Sequence, residues 1–113
     1  MTRESLGEFE QTVLLAIIHL SESDADVYGV PIVEEIERRT GRQVADAAVY
    51  VTLRRLEQKG LVESWKSAPT ADRGGKARRC VKVTPSGRTL LSDSRSVLER
   101  MWHGLDAKAR RVR

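Results

Sequence analysis

An α+β fold is what this sequence predicts, and three observations carry the prediction. Residues 46–60 form an amphipathic helical segment that stops at Gly60 and leads straight into an apolar run starting at Leu61. A glycine-centred basic turn, Arg73-Gly74-Gly75-Lys76-Ala77-Arg78-Arg79, then separates two short strand-like runs. A long helical pattern closes the chain behind Thr84-Pro85. With two further amphipathic helices ahead of them, the order is three helices, a long-looped hairpin and a long terminal helix. This is the order of a winged helix-turn-helix, a three-helix core with a two-stranded wing.

The first helix, residues 6–20, places Leu6, Phe9, Val13, Leu14, Ile17 and Leu20 at helical spacing, and the polar run from Ser21 closes it. A second helix is expected to begin between Asp26 and Val30, because Pro31 is tolerated only in a first turn, where its missing amide costs nothing. Ile32, Val33 and Ile36 supply its inner face, and Gly41 follows as a glycine just past the last turn. The third helix is expected to start near Asp46, with that carboxylate capping its free amides. Val49, Leu53 and Leu56 form its core face, and Gly60 ends it by taking up a left-handed conformation that strains other residues.

Residues 61–67 and 79–83 read as the two strands, and the linker between them carries Pro69, Gly74 and Gly75. Thr84 then offers a capping hydroxyl with Pro85 in the first helical position. The last helix is expected to run to about Lys108. Residues 1–83 are thus expected to form the winged helix-turn-helix domain, and residues 84–113 a C-terminal dimerisation helix with a basic tail.

At 113 residues, with 40% hydrophobic and 32% charged side chains, the chain is one ordered domain, small enough to gain from oligomerising. Its net charge of +4 is unevenly spread. Residues 1–40 carry three basic and nine acidic side chains, whereas residues 41–113 carry seventeen basic and seven acidic. That asymmetry points to a polyanion facing the second part of the chain; the plain alternative is a solvated surface with an acidic first helix.

Cys80 is the sole cysteine, which excludes an intrachain disulfide and a cysteine-rich metal site and fits a reducing cytoplasm. The longest apolar run, residues 13–18, is too short to span a bilayer, and no secretion signal is evident. A cytoplasmic protein without a membrane partner is the expectation.

On the third helix, 100° per residue sets Ala47, Val51, Arg54 and Gln58 opposite the buried face, flanked by Tyr50 and Arg55. Small residues near its start allow close approach to the floor of a major groove. Arg54 can donate two hydrogen bonds to a guanine edge, and Gln58 can reach a base or a phosphate. Taken alone, such a helix is equally an ordinary solvated surface. The basic turn changes the balance, because Arg73, Lys76, Arg78, Arg79 and Lys82 gather around Gly74 and Gly75. A glycine turn approaches a groove closely, and flanking arginines suit phosphates or a narrow minor groove. Double-stranded DNA is the partner that accounts for both.

In the terminal helix Leu90, Leu91, Val97, Leu98, Met101, Trp102 and Leu105 span an arc of about 140°, wider than one small domain needs to cover itself. A homodimer is expected, with Leu6, Phe9, Leu91, Leu98, Met101, Trp102 and Leu105 at its interface. Met101 and Trp102 are candidates for an apolar effector pocket at that seam, core packing being the commoner role for such a pair. Trp65 is expected to serve packing.

Catalysis finds no support. His19 and His103 lie in different helices without companion ligands at metal spacing, and Arg73-Gly74-Gly75-Lys76 lacks the features of a phosphate loop. No enzyme activity, cofactor or metal is expected. The alternative to a DNA-binding regulator is a winged-helix module that binds another protein through its acidic first part and terminal helix.

These residues resemble the PadR family of bacterial transcriptional regulators in its short form. The resemblance rests on Leu6-Gly7-Glu8-Phe9-Glu10, on Tyr28-Gly29 ahead of Ile32, and on Val49-Tyr50 with Leu53, Arg55-Leu56-Glu57 and Gly60-Leu61-Val62. It continues through Arg73-Gly74-Gly75, Arg78-Arg79 and Val83-Thr84-Pro85-Ser86-Gly87, covering about residues 6–105. It implies a winged-helix homodimer that represses from an inverted-repeat operator and is released by a small apolar or aromatic effector. It also implies that Tyr50 and the outer face of the third helix meet DNA, that residues 73–79 form the wing, and that Trp102 occupies a helix that lines an effector site in some members. The chain departs from the family's commoner residues at Ala45, Ala47, Val51 and Cys80.

Overall fold

The computed structural model describes residues 5–23, 26–68 and 78–105. Arg73, Gly74, Gly75 and Lys76 of the basic turn therefore lie outside the described residues, as does the tail past Leu105. The elements run α1 (Glu8–Ser21), α2 (Gly29–Thr40), α3 (Asp46–Gln58), β1 (Val62–Lys66), β2 (Arg79–Val83) and α4 (Pro85–Trp102). β1 and β2 pair antiparallel in a register that sets Val62 opposite Val83 and Lys66 opposite Arg79. The α+β winged-helix architecture of the sequence reading is the one observed.

α1 starts where the Gly7 amide donates to the Glu10 carboxylate, 3.0 Å away, which satisfies a donor that the helix itself leaves free. One side of α1 buries Val13, Leu14, Ala16 and Ile17 at the centre of the core. Around it pack Ile32, Val33 and Ile36 of α2, Val49, Leu53 and Leu56 of α3, and Leu61, Val62, Val81 and Leu91. α2 ends on Gly41, whose φ of 72° supplies the left-handed residue anticipated there. The turn into α3 is held by the Val44 amide donating to the Glu37 carboxylate at 3.0 Å.

Two carboxylates hold ion pairs here. Glu35, buried on α2, accepts from Arg38 at 2.8 Å and from Arg39, which hold its carboxyl below the ordinary range. Glu10 also accepts from Lys59 Nζ at 2.8 Å, tying α1 to the end of α3. Burial pushes the Glu10 carboxyl up, but the bonds from Lys59 and the Gly7 amide and the charges of Lys59 and Arg55 outweigh it and leave it below the ordinary 4.5.

As the pH falls the unfolded chain therefore takes up that proton first. The stabilisation from Glu10 is fully present above the ordinary carboxylate value and is lost as pH drops through the lower folded one. Glu10→Gln is expected to show a shallower loss of unfolding free energy than the parent as pH falls from about 5 through the lowered Glu10 value. Superimposable acid limbs in denaturant titrations would show that this pair carries no pH dependence.

Asp46 does not cap α3 with its side chain. The capping position is held by Ala45 without any side-chain bond, and Asp46 enters as the first helical residue, where its charge only complements the helix dipole. The other end of α3 closes as the glycine predicted. Gly60 takes a φ of 76°, its amide donates to the Glu57 carbonyl at 3.0 Å, and the Leu61 amide reaches back to the Leu56 carbonyl at 2.9 Å. Leu56 and Leu61 are both buried, so the turn that aims the chain into the wing is sealed by its own apolar contact.

The wing root is tied down on both sides. The Val81 amide donates to the Val27 carbonyl at 2.9 Å, so the segment before α2 adds a backbone bond to the sheet. Thr84 donates its hydroxyl to the Gly60 carbonyl at 2.8 Å and accepts the Gly87 amide at 3.0 Å, capping α4 as expected.

α4 is shorter than the sequence reading held. It ends at Trp102 rather than near Lys108, because His103 leaves helical geometry at φ −52°, ψ 126° and Gly104 turns left-handed at φ 83°. The apolar spacing continues to Leu105, but a glycine in a helix is disfavoured, and here it redirects the chain. Among the described residues no helix is long and apolar enough to cross a membrane.

Candidate nucleic-acid interface

α3 presents the anticipated row to solvent: Ala47, Val51, Arg54 and Gln58 are exposed, with Tyr50 and Arg55 beside them. Their inner counterparts Val49, Leu53 and Leu56 are buried, joined by Thr52, which the sequence reading did not place there. Arg54 has no ion-pair partner among the described residues, so its guanidinium is available.

Tyr50 lies across the start of α2. A Cβ on Gly29 would stand 2.5 Å from the Tyr50 ring and hydroxyl, so the bare glycine makes room for the ring and lets the outer side of Tyr50 stay exposed. Tyr28, the neighbouring residue, carries a different load. The guanidinium of Arg78 rests over its ring, 4.1 Å from the centroid. Tyr28-Gly29 is thus a junction at which the wing root and α3 both meet α2.

The described basic residues of the wing, Arg78, Arg79 and Lys82, do not act alike. Arg78 is half-buried on Tyr28, and its amide donates to Ser67 Oγ at 3.1 Å. Arg79 faces α3, with Nη2 3.6 Å from the Glu57 carboxylate. Lys82 pairs loosely across the sheet with Glu63 at 4.0 Å. Trp65 is only partly covered, lying on β1 opposite Cys80. A cleft of about 330 Å³ separates α3 from the wing root, lined by Tyr50, Arg54, Glu57, Ser64 and Arg79 among others.

The residues assigned to a dimer seam divide into two groups. Leu6 and Leu91 are buried by their own chain, and Phe9 is partly buried against the same core. Leu98, Met101 and Trp102 stand out from α4, exposed by 51%, 71% and 53%, and Leu105 is exposed past its end. Between α1 and α4 lies an open cleft of about 940 Å³ whose lining includes Leu15, Ile18, Arg88, Arg95, Leu98 and Trp102. Of the two residues proposed for an effector pocket, Trp102 lines this cleft and Met101 does not.

An exposed helix face carrying Arg54 and Arg55 thus stands beside a hairpin carrying Arg78, Arg79 and Lys82, and the comparisons with known proteins give the family. The model of the transcriptional regulator PadR-like family matches residues 14–93. The chain belongs to the PadR-like family. Transcriptional regulator Rv3488 of Mycobacterium tuberculosis is 36% identical over 97 residues, 85% of each chain. An uncharacterized protein of Lysinibacillus sphaericus is 30% identical over 89 residues, 77% of this chain and 74% of that one. Among solved structures, a PadR-like regulator from Bacillus cereus superposes with a TM-score of 0.63 at 19% identity, covering 92% of this chain and 89% of its own. A transcriptional regulator from Clostridium thermocellum gives 0.65 at 21% identity, covering 82% and 84%. PadR-like proteins are DNA-binding regulators and not enzymes, so the chain is a transcriptional regulator.

Sequence reasoning missed two residues of this site. Glu57 and Tyr28 entered it only as part of a resemblance, yet both hold wing residues. No charge signal singled out Glu57, because exposed Asp46 lies on the same flank of α3.

Proposed function

We propose that this PadR-like regulator is a homodimeric repressor that reads an inverted-repeat operator with two copies of α3 and two wings. The observation that carries the proposal is the exposed row Ala47, Val51, Arg54 and Gln58, with Arg54 at its centre free of ion-pair partners among the described residues. In this reading α3 enters the major groove, Arg54 donates to a guanine edge, and Tyr50, Arg55 and Gln58 take neighbouring bases or phosphates. Arg73, Gly74, Gly75 and Lys76, with Arg78 and Arg79 behind them, take the flanking backbone or minor groove. Two-fold symmetry places the half-sites about 34 Å, one helical turn, apart.

The exposed apolar face of α4, centred on Leu98, Met101 and Trp102, supports pairing with a second copy. The cleft beside it, with the Trp102 ring in its wall, supports release by a small apolar or aromatic effector.

Footprinting on the DNA upstream of its own gene tests the proposal. A protected inverted repeat is expected, with log affinity falling linearly against log salt at about −0.9 per phosphate contacted. Absence of a footprint, or binding indifferent to salt, would overturn it. Arg54→Ala is expected to cost about 1–3 kcal/mol on the operator and to relax one base position per half-site. Arg73→Ala is expected to weaken all duplexes alike and to flatten the salt slope by about one contact per protomer. Identical behaviour of the two variants would mean that base reading and backbone positioning are wrongly divided between helix and wing.

A further inference from the structure

A carboxylate on a DNA-reading face is a liability, because it repels the phosphates that the neighbouring arginines attract. Glu57 is such a residue, one helical turn beyond Arg54 on α3. The structure gives it work that offsets the repulsion. Its Oε2 accepts the Ser64 hydroxyl of β1 at 2.6 Å. The same oxygen lies 3.6 Å from Arg79 Nη2 of β2. One side chain of the recognition helix therefore grips both strands of the wing, across the cleft that separates helix from hairpin.

The Arg79 and Glu57 side chains are 60% and 40% exposed, so their ion pair contributes little to folding. The short bond from Ser64 to a charged acceptor is stronger and directional. Both act at the place where the wing could otherwise pivot on α3.

We propose that Glu57 is a positioning residue for DNA recognition. It fixes the wing against the recognition helix through Ser64 and Arg79, so that base-reading and backbone-binding groups arrive at one fixed spacing. A preset spacing rewards the sequence whose grooves match it and not DNA in general. Glu57 therefore acts on discrimination between sequences rather than on affinity as such. This rests on the DNA-binding reading above but names a residue that makes no DNA contact itself.

The test compares the full-length protein with Glu57→Ala, Glu57→Gln and Ser64→Ala on two duplexes, the footprinted upstream fragment and a shuffled sequence of equal length. Glu57→Ala is expected to lower the ratio of specific to shuffled affinity about tenfold, with shuffled binding unchanged or tighter because a negative charge is gone. Glu57→Gln keeps an acceptor for Ser64 and is expected to retain most of the ratio. The double variant Glu57→Ala/Ser64→Ala is expected to be no worse than Glu57→Ala, since both remove the same link.

Hydrogen exchange on the free protein gives a readout that needs no DNA. Amides of β1 and β2 are expected to exchange faster in Glu57→Ala while the α1 core stays protected. Equal losses on both duplexes, or an unchanged ratio, would overturn the proposal. So would wing amides that exchange as in the parent. A parent protein that discriminates between no duplexes would sink the operator reading instead, and the exchange data would still decide whether Glu57 holds the wing.

Discussion

Gly87→Ala is expected to destabilise the folded chain by about 2–3 kcal/mol, the cost of forcing a methyl into a filled site. A Cβ on Gly87 would stand 2.4 Å from the Leu61 carbonyl oxygen and 2.8 Å from Val83 Cγ1. Neither neighbour can easily yield. The Leu61 carbonyl accepts the Thr84 amide at 3.0 Å, and the Leu61 amide is already committed to the Leu56 carbonyl that closes α3. Relief would require α4 to move off the wing root, breaking the Thr84 cap that the Gly87 amide completes.

Gly29→Ala makes the control, since its Cβ would also meet an atom at 2.5 Å, but that atom is the end of the Tyr50 side chain. The ring can swing into solvent, so a stability loss within about 1 kcal/mol is expected. Urea titrations of the two variants check the pair. Equal midpoints would mean that α4 is not seated on the wing root as described.

The contrast bears on what could be read from the sequence. Punctuation was legible because it is local: Gly41 and Gly60 close helices with left-handed turns, and Thr84-Pro85 opens one. The core faces of α1, α2 and α3 were legible from 3.6-residue spacing, as was the outward row of α3. The end of α4 was not, because apolar spacing persists to Leu105 while Gly104 has already turned the chain. Asp46 misled for a similar reason, since a good capping residue one position late is simply a first helical residue.

What the sequence concealed lies in contacts between elements. Arg78 and Arg79 are neighbours in a basic run, and composition alone treats them as equivalent. In the fold one stacks on Tyr28 and the other faces Glu57. These partners are tens of residues away and belong to α2's threshold and to α3. Neither periodicity nor charge pattern marks them, and only the hairpin's closure against the helices brings them together. The same holds for Leu6 and Leu91, whose apolar character placed them on a seam that the protomer's own core had already claimed.

Leu98→Glu is expected to abolish pairing of two copies while leaving each copy folded. In the protomer this side chain is 51% exposed, so a carboxylate there meets water, and a stability change within about 0.5 kcal/mol is expected. In a dimer sealed by α4 the same group would be buried opposite its symmetry mate. Two like charges would then be desolvated together, at several kcal/mol. Sedimentation at micromolar concentration is therefore expected to show monomer for the variant and dimer for the parent. Unlinking the two recognition helices turns one bivalent encounter into two weak ones, so operator affinity is expected to fall by about 10²–10⁴. The shuffled duplex, which rewards no fixed half-site spacing, is expected to lose far less. Met101→Glu, on the most exposed apolar side chain of the same face at 71%, should reproduce the loss. A Leu98→Glu protein that still sediments as a dimer would place the seam elsewhere, and a monomeric parent that binds its operator with full affinity would remove the two-fold reader altogether.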